Sequence, residues 1–338
     1  MGKSGGNSPE GKRKGDVTPI GVRKTRKQKQ TAVCVCGEAM VIIQLAGGLG
    51  NQMFQYALYL QLKNLGKEVK IDDESGFRED ALRQPALAPF GITYERASRK
   101  ELEQMLDAAP GLTHKIRRKL CGRKKKSYFE ADKLFKPELF TWDDIYLEGY
   151  WQSEKYFAQV TEQVRACYDT DRLLKAYLQQ DRENTYLQQI RNVQSVSVHI
   201  RRGDYLTAEN QALFGNICTP AYYEKAMQQM KAHYPDCHFF IFTNDREWVR
   251  EQAAFAGRED ITIVDIPQNE RQDYLEFALM SQCKHQILAN SSFSWWASYL
   301  NRNPQKTVLV PETWLNGWDC RDFYREDMQR VIVAPAQN

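Results

Sequence analysis

Hydrophobic positions along residues 40–312 come in alternating blocks, short apolar runs giving way to longer stretches with a helical repeat. The run MVIIQLA (40–46) reads as a strand, GGLGN as a turn, and QMFQYALYLQLKNLG as a helix with Phe54, Ala57, Leu58 and Leu62 on one stripe and Gly66 at its end. KEVKIDD then predicts a second strand, which makes a βαβ opening. Residues 74–147 are more mixed, with Pro85, Pro89 and one helical segment, SRKELEQMLDAA. After YLEGYWQSEKYF comes a charged segment, residues 173–192, that predicts one continuous helix.

Alternation then restarts with SVSVHIR (195–201). Val196, Val198 and Ile200 form one face of that strand, and Ser197, His199 and Arg201 the other. A helix over 219–235, a strand over 238–245, a helix over 246–257 and a strand over 261–266 follow. Further on, 271–283 predicts a helix, 285–290 a strand, 291–303 a helix and 307–312 a strand. Strands alternating with helices predict parallel sheets flanked by helices. Two such units in series predict an α/β chain of two Rossmann-like domains facing across a cleft, with ligands beyond the carboxyl ends of the strands. The expected division is a basic tail over 1–39, a first domain over 40–192 and a second over 193–338.

Composition changes this picture at one place. The 338-residue chain is 42% hydrophobic, ample for packed cores, and its net charge is +4. Residues 1–40 hold nine Lys/Arg against three Asp/Glu, a surplus of six, so the remainder carries about −2. That basic segment has few large apolar residues and is expected to lack structure. Eight scattered cysteines form neither a CxxC pair nor a dense disulfide framework, which fits reduced thiols in a cytoplasmic setting. No apolar run approaches the ~20 residues a bilayer crossing needs, so no integral membrane segment is expected; a peripheral position at the inner membrane face stays open. The basic run His114–Lys126 reads as a solvated helix end and loop, or as a docking patch.

Five strand-end motifs carry the candidate chemistry. GGLGNQMFQYA places Gly48, Gly50 and Asn51 between a strand and a helix, where backbone N–H groups can approach an anion. It is no Walker loop, and Met53 stands where a third dinucleotide-binding glycine would be. HIRRGDY brings His199, Arg201, Arg202 and Asp204 to a strand end; two guanidiniums suit a diphosphate, and the alternative is an ion-pair network in which Asp204 holds an arginine. FTND offers Asn244 and Asp245, the carboxylate either accepting from guanine or capping the next helix. NSSFSWW places Ser291 and Ser292 at a helix amino end suited to phosphate, with Trp295 and Trp296 read as core. GYWQ sets Tyr150, Trp151 and Gln152 after a strand, suited to a sugar or to a packed hinge.

In this order and spacing the five motifs resemble the alpha-1,2-fucosyltransferases of glycosyltransferase family 11, from about Met40 to the C-terminus. The H-x-R-R-x-D element is shared with related alpha-1,6- and protein O-fucosyltransferases. The resemblance implies a GT-B-type fold, GDP-fucose as donor, a beta-galactoside hydroxyl as acceptor, inversion at the anomeric carbon and no cofactor or metal. It implies that Arg201 holds the donor diphosphate with Arg202 in support, and that His199 and Asp245 contact guanine. Asn244, Ser291, Ser292, Phe293, Gly48, Gly50 and Asn51 complete the donor side, and Tyr150, Trp151 and Gln152 the acceptor side. This chain has TND where relatives often carry two acids. The base is unassigned among Asp204, Asp72 and Asp73, or absent from a dissociative reaction. Two rivals stand beside this reading. One is an NAD(P)-dependent oxidoreductase using the Gly48-Leu49-Gly50 turn and Asp72; the other is a nucleic-acid-binding module using the basic tail, which the near-neutral remainder disfavours.

Overall fold

The computed structural model describes residues 39–333, apart from 179–180, 268 and 270–271. The basic segment over 1–38 lies outside the described residues. The first sheet contains β1 (Met40–Ala46), β2 (Glu68–Gly76), β3 (Ser127–Phe129) and β4 (Ile145–Glu148), all parallel, in the order β2-β1-β4-β3. The second contains β5 (Gln194–Ile200), β6 (Cys237–Thr243), β7 (Ile261–Ile263), β8 (His285–Ile287), β9 (Val308–Pro311) and β10 (Met328–Val331). It is also parallel, ordered β10-β9-β8-β5-β6-β7.

Helices α1 (Leu49–Asn64), α2 (Arg99–Met105) and α3 (Leu112–Cys121) belong to the first unit. Helices α4 (Thr161–Cys167), α5 (Thr170–Tyr177) and α6 (Asp181–Asn192) lead into the second. There follow α7 (Ala208–Phe214), α8 (Pro220–His233), α9 (Arg246–Glu251), α10 (Gln272–Gln282) and α11 (Ser292–Leu300). Two parallel sheets flanked by helices are the α/β, GT-B-type architecture expected, and the second sheet begins at Gln194.

Three departures have local causes. The helix expected over 173–192 is broken, because Leu178 turns to extended backbone after Tyr177. Strands β3 and β10 were not anticipated: the first is three residues long, and the second, MQRV, buries only its two ends. The polar face expected for β5 is buried as fully as the apolar one, with Ser195, Ser197 and His199 all inside. Helices cover both faces of a parallel sheet, so period-two alternation in the sequence does not mean one wet face.

One core cluster joins the two halves. Phe54 of α1 sits with its ring centroid 4.6 Å from Trp295 and 4.8 Å from Trp296 of α11, and Phe157 stacks on Trp296 at 5.4 Å. Trp295 and Trp296 are thus core, as expected. An aromatic cluster of this kind fixes α1 against α11 and therefore fixes one sheet's carboxyl edge relative to the other. Phe54→Ala is expected to cost about 3–5 kcal/mol, read as a lower urea midpoint, because neighbouring rings cannot collapse into the void.

Candidate active site

β5 lies between β8 and β6, in register Val198↔Ile287 and Ile200↔Thr243. Three adjacent parallel strands therefore deliver HIRRGDY, TND and ANSS to one sheet edge. Here His199 is 6% exposed, its Nδ1 without a hydrogen-bond partner, and its ring lies 5.6 Å from that of Phe293. Burial, and the Arg201 charge next to it, push its pKa down to about 3, so the imidazole is neutral at pH 7.

Arg202 has several partners. Its Nε donates to Asp245 at 3.0 Å, its N–H donates to the Asn244 side-chain oxygen at 2.9 Å, and its guanidinium lies 4.1 Å from the Trp248 ring centre. Asp245 at the same time caps α9, its Oδ1 accepting from the Trp248 N–H at 3.1 Å. The cap is the alternative weighed for Asp245; the ion pair weighed for HIRRGDY set Asp204 on an arginine, whereas here Asp245 holds Arg202. Gly203 has φ +48°, and a β-carbon there would stand 2.5 Å from the Asn244 amide nitrogen, so only glycine lets the turn pass this close. Arg201 lies 6.0 Å from the Tyr205 ring, and the Tyr205 hydroxyl donates to the Asn290 carbonyl at 3.0 Å. Asp204 lies in the 3₁₀ turn Gly203–Leu206, and its side chain is outside the described residues.

Ser291 caps α11, its hydroxyl accepting from the Phe293 N–H at 3.3 Å. The Ser292 hydroxyl donates across to Asn51 Oδ1 at 2.7 Å, and the same oxygen accepts from Gln152 Nε2 at 2.6 Å. Gly48 caps α1, and Gly50 presses on α11: a β-carbon on Gly50 would be 2.5 Å from the Ser292 carbonyl carbon. The amino ends of α1 and α11 thus meet, both presenting N–H groups and positive dipole ends to one place. Of the acceptor-side residues, Tyr150 and Gln152 are half-buried, whereas Trp151 is fully buried, with φ +55° and no partner for its indole N–H.

Several residues that the sequence did not single out shape the site. Gln52 Nε2 donates to the carbonyls of Gly47 and Gln84, and its oxygen accepts from Ala86 N–H. Gln55 accepts from Ala46 N–H and donates to the Gly149 carbonyl. Glu130, 4% exposed, accepts from the Tyr150 and Trp151 N–H groups, and its carboxyl is raised by burial against the pull of Lys133. Glu276 on α10 is pushed up to about 7 by burial, with Arg246 Nη2 at 3.7 Å. The signal for the two glutamines was present: polar residues on the buried face of an otherwise apolar helix.

Asp72, a candidate base and ribose reader, is 2% exposed and accepts from Tyr146 hydroxyl at 2.7 Å and from the Glu74 and Ser75 N–H groups. Asp73 is taken by the Tyr94 hydroxyl and Arg96, each at 2.8 Å. A cavity of about 340 Å³ opens beside it, lined by Glu74, Phe77, Arg78, Gln84 and Pro85 at the carboxyl end of β2. Another, of about 280 Å³, lies by Lys284, at the amino end of β8 and away from the site edge. Among the described residues no group of three or more His, Cys, Asp or Glu is arranged to hold a metal.

Two outcomes follow from this geometry. Gly50→Ala is expected to force the amino ends of α1 and α11 apart, break the Ser292–Asn51 bond and cost about 1–3 kcal/mol by overpacking; urea unfolding reads the stability, and a crystal structure reads the separation. His199 carries its depressed pKa only when folded, so below the ordinary histidine value of 6.5 the unfolded chain binds the extra proton. Stability is therefore full above that value and falls as pH drops toward 3. His199→Gln should reduce the loss between pH 7 and pH 5 by up to about 2 kcal/mol, measured by urea unfolding at both pH values.

Comparison with known proteins gives this edge a context. Residues 17–328 match the family described as glycosyl transferase family 11. An alpha-1,2-colitosyltransferase of Escherichia coli is 29% identical over 84% of this chain and 96% of its own length. Galactoside alpha-(1,2)-fucosyltransferase 1 of Saimiri boliviensis boliviensis is 31% identical over 75% of this chain and 63% of its own length. The solved structure of the fucosyltransferase NodZ from Bradyrhizobium, at 14% identity, covers 77% of this chain and 93% of that one with a TM-score of 0.38, too low to add to the two sheets seen directly. With the family match running across both sheets, the chain belongs to glycosyltransferase family 11.

Proposed function

We propose that the protein transfers L-fucose from GDP-fucose to the 2-hydroxyl of a terminal beta-galactoside, with inversion and without a metal ion. The observation that carries this reading is the meeting of the α1 and α11 amino ends. Two positive dipole ends meet at the sheet edge where β5, paired with the β8 strand that leads into α11, ends at Arg201, an electrostatic setting that favours a diphosphate. The relatives named for alpha-1,2 transfer support the linkage, and the primate relative's name supports a galactoside acceptor.

In this mechanism the bond from the sugar C1 to the β-phosphate oxygen breaks, and negative charge grows on departing GDP. Arg201 and the positive dipole end of α11 compensate that charge more strongly in the transition state than before it. The acceptor hydroxyl attacks from the opposite face of the sugar, forms the new C1–O bond and gives up its proton to solvent. The neutral His199 suits hydrogen bonding to the guanine or a ribose hydroxyl, because a charged imidazole beside Arg201 would be strongly disfavoured. Arg202 acts one step back: by holding Asp245 and Asn244 it positions the turn that follows β6. Gln152, tied through Asn51 to Ser292, links the acceptor side to the donor side.

A second reading concerns only the sugar. The bacterial relative is named for colitose, which lacks the hydroxyl that fucose carries on C3, so the same nucleotide site would present a different deoxysugar. The oxidoreductase reading is not favoured by the geometry, since Asp72 is fully committed to three donors inside the sheet.

Incubation with GDP-fucose or GDP-colitose and a panel of galactosides, with the product linkage mapped by NMR, tests the reading. Formation of an alpha-1,2-fucosyl galactoside is expected, and no transfer from either donor would reject it. Arg201→Ala should lower turnover about 100-fold or more, with the circular dichroism spectrum unchanged. Turnover within tenfold of the parent would take the diphosphate away from Arg201.

A further inference from the structure

Helix α3 is mounted with its apolar side outward. Leu112, Ile116 and Leu120 are spaced by four, so they share one stripe, yet they are 73, 50 and 79% exposed. The helix is tied to the first unit by its opposite side. Arg117 bonds Asp107, and Arg118 donates to the carbonyl of Ala109 at 2.9 Å and to that of Asp107 at 3.3 Å. No residue of α3 is buried, and at about 100° per residue Lys115 and Lys119 stand beside the stripe, both exposed. A few residues on, the Phe129 ring at the carboxyl end of β3 is 68% exposed.

The segment's own charge is of one sign, although Asp107, Glu148 and Asp144 pair with Arg117, Lys125 and Lys126. His114–Lys126 contains eight Lys/Arg and no acid. Turning the arginines inward and a leucine and isoleucine stripe outward is the reverse of what water favours, and it makes sense for a surface that meets a medium apolar at one depth and anionic at another. We propose that α3 lies flat on an anionic membrane surface, with Leu112, Ile116 and Leu120 in the acyl boundary and Lys115, Lys119, Arg123 and Lys124 against lipid headgroups. Charge complementarity selects this occupant. A second copy would bring an equally basic face against this one. Residues 1–38 carry the same sign as α3, and a nucleic acid would use the cations while leaving the leucine stripe in water.

The helix has no part in the transfer chemistry, so failure of the proposed activity would leave this inference standing, and the reverse. The experiment is cosedimentation of the full chain with vesicles of phosphatidylcholine alone or mixed with phosphatidylglycerol. Every variant keeps residues 1–38, so any binding by that segment is common to all. Strong binding to the mixed vesicles is expected, and the Leu112→Glu, Ile116→Glu, Leu120→Glu variant should bind at least about 100-fold more weakly. Its folding is checked by circular dichroism. Lys115→Gln with Lys119→Gln should weaken binding to the mixed vesicles by about 10- to 30-fold and leave binding to neutral ones unchanged. Equal binding by parent and triple variant, or no binding by the parent, overturns the inference. So does a concentration-dependent dimer that the triple variant loses while neither protein binds vesicles, since the stripe would then be a subunit contact.

Discussion

The approach of Gly50 to the backbone of Ser292 and Phe293 is the constraint on which the site depends. It sets two helix amino ends against each other, and like dipole ends repel. That repulsion is offset in two ways. Phe54 is packed between Trp295 and Trp296 one turn further along, and Asn51 offers one amide oxygen to both Ser292 and Gln152. Apolar packing supplies the holding force and the amide sets the register. What is left uncompensated is the outward field of the N–H groups, which an anion can answer.

Loops around this contact are held by buried polar side chains with little freedom. Gln52 and Gln55 lie on the α1 face directed at the turns, and each makes at least two bonds to backbone groups that no strand or helix would otherwise satisfy. Glu130 does the same for Tyr150 and Trp151, which allows Trp151 its positive φ. Satisfied networks of this kind rigidify the groups they serve, so strand-end residues reach their positions before any ligand arrives.

Much of this was legible in the chain. The glycine turn, the HIRRGDY strand end, TND and the serine pair all stand at carboxyl ends of parallel strands, because period-two runs followed by helical repeats admit few other topologies. What the sequence concealed is partner choice. In HIRRGDY the two arginines look equivalent, yet neighbours in the fold separate them: Asp245 and Trp248, over 40 residues away, take Arg202. For Trp151 the sequence left a sugar contact and a packed hinge open, and the ring is buried, because its environment comes from Tyr128 and Tyr156, on elements the local pattern does not connect to it. Gln52 and Gln55 were not singled out, and only the loops they bond reveal their purpose.

Part of the cost of placing imidazole and guanidinium side by side in a buried strand end is met by the protein's own groups. His199 is held neutral by burial and by the Arg201 charge, and Arg202 is neutralised by Asp245. A cationic cluster alone is therefore weak ground for inferring a bound anion. The stronger ground is directional: an ion pair can neutralise a guanidinium, but no carboxylate caps α1, whose first turn holds no acid and whose cap, Gly48, has no side chain. The first turn of α11 holds no acid either, and its serines spend their hydroxyls on Phe293 and Asn51. Proteins commonly set acids in first turns to match the dipole. Leaving both ends without an acid at one contact preserves a field that an incoming diphosphate, rather than the protein itself, completes.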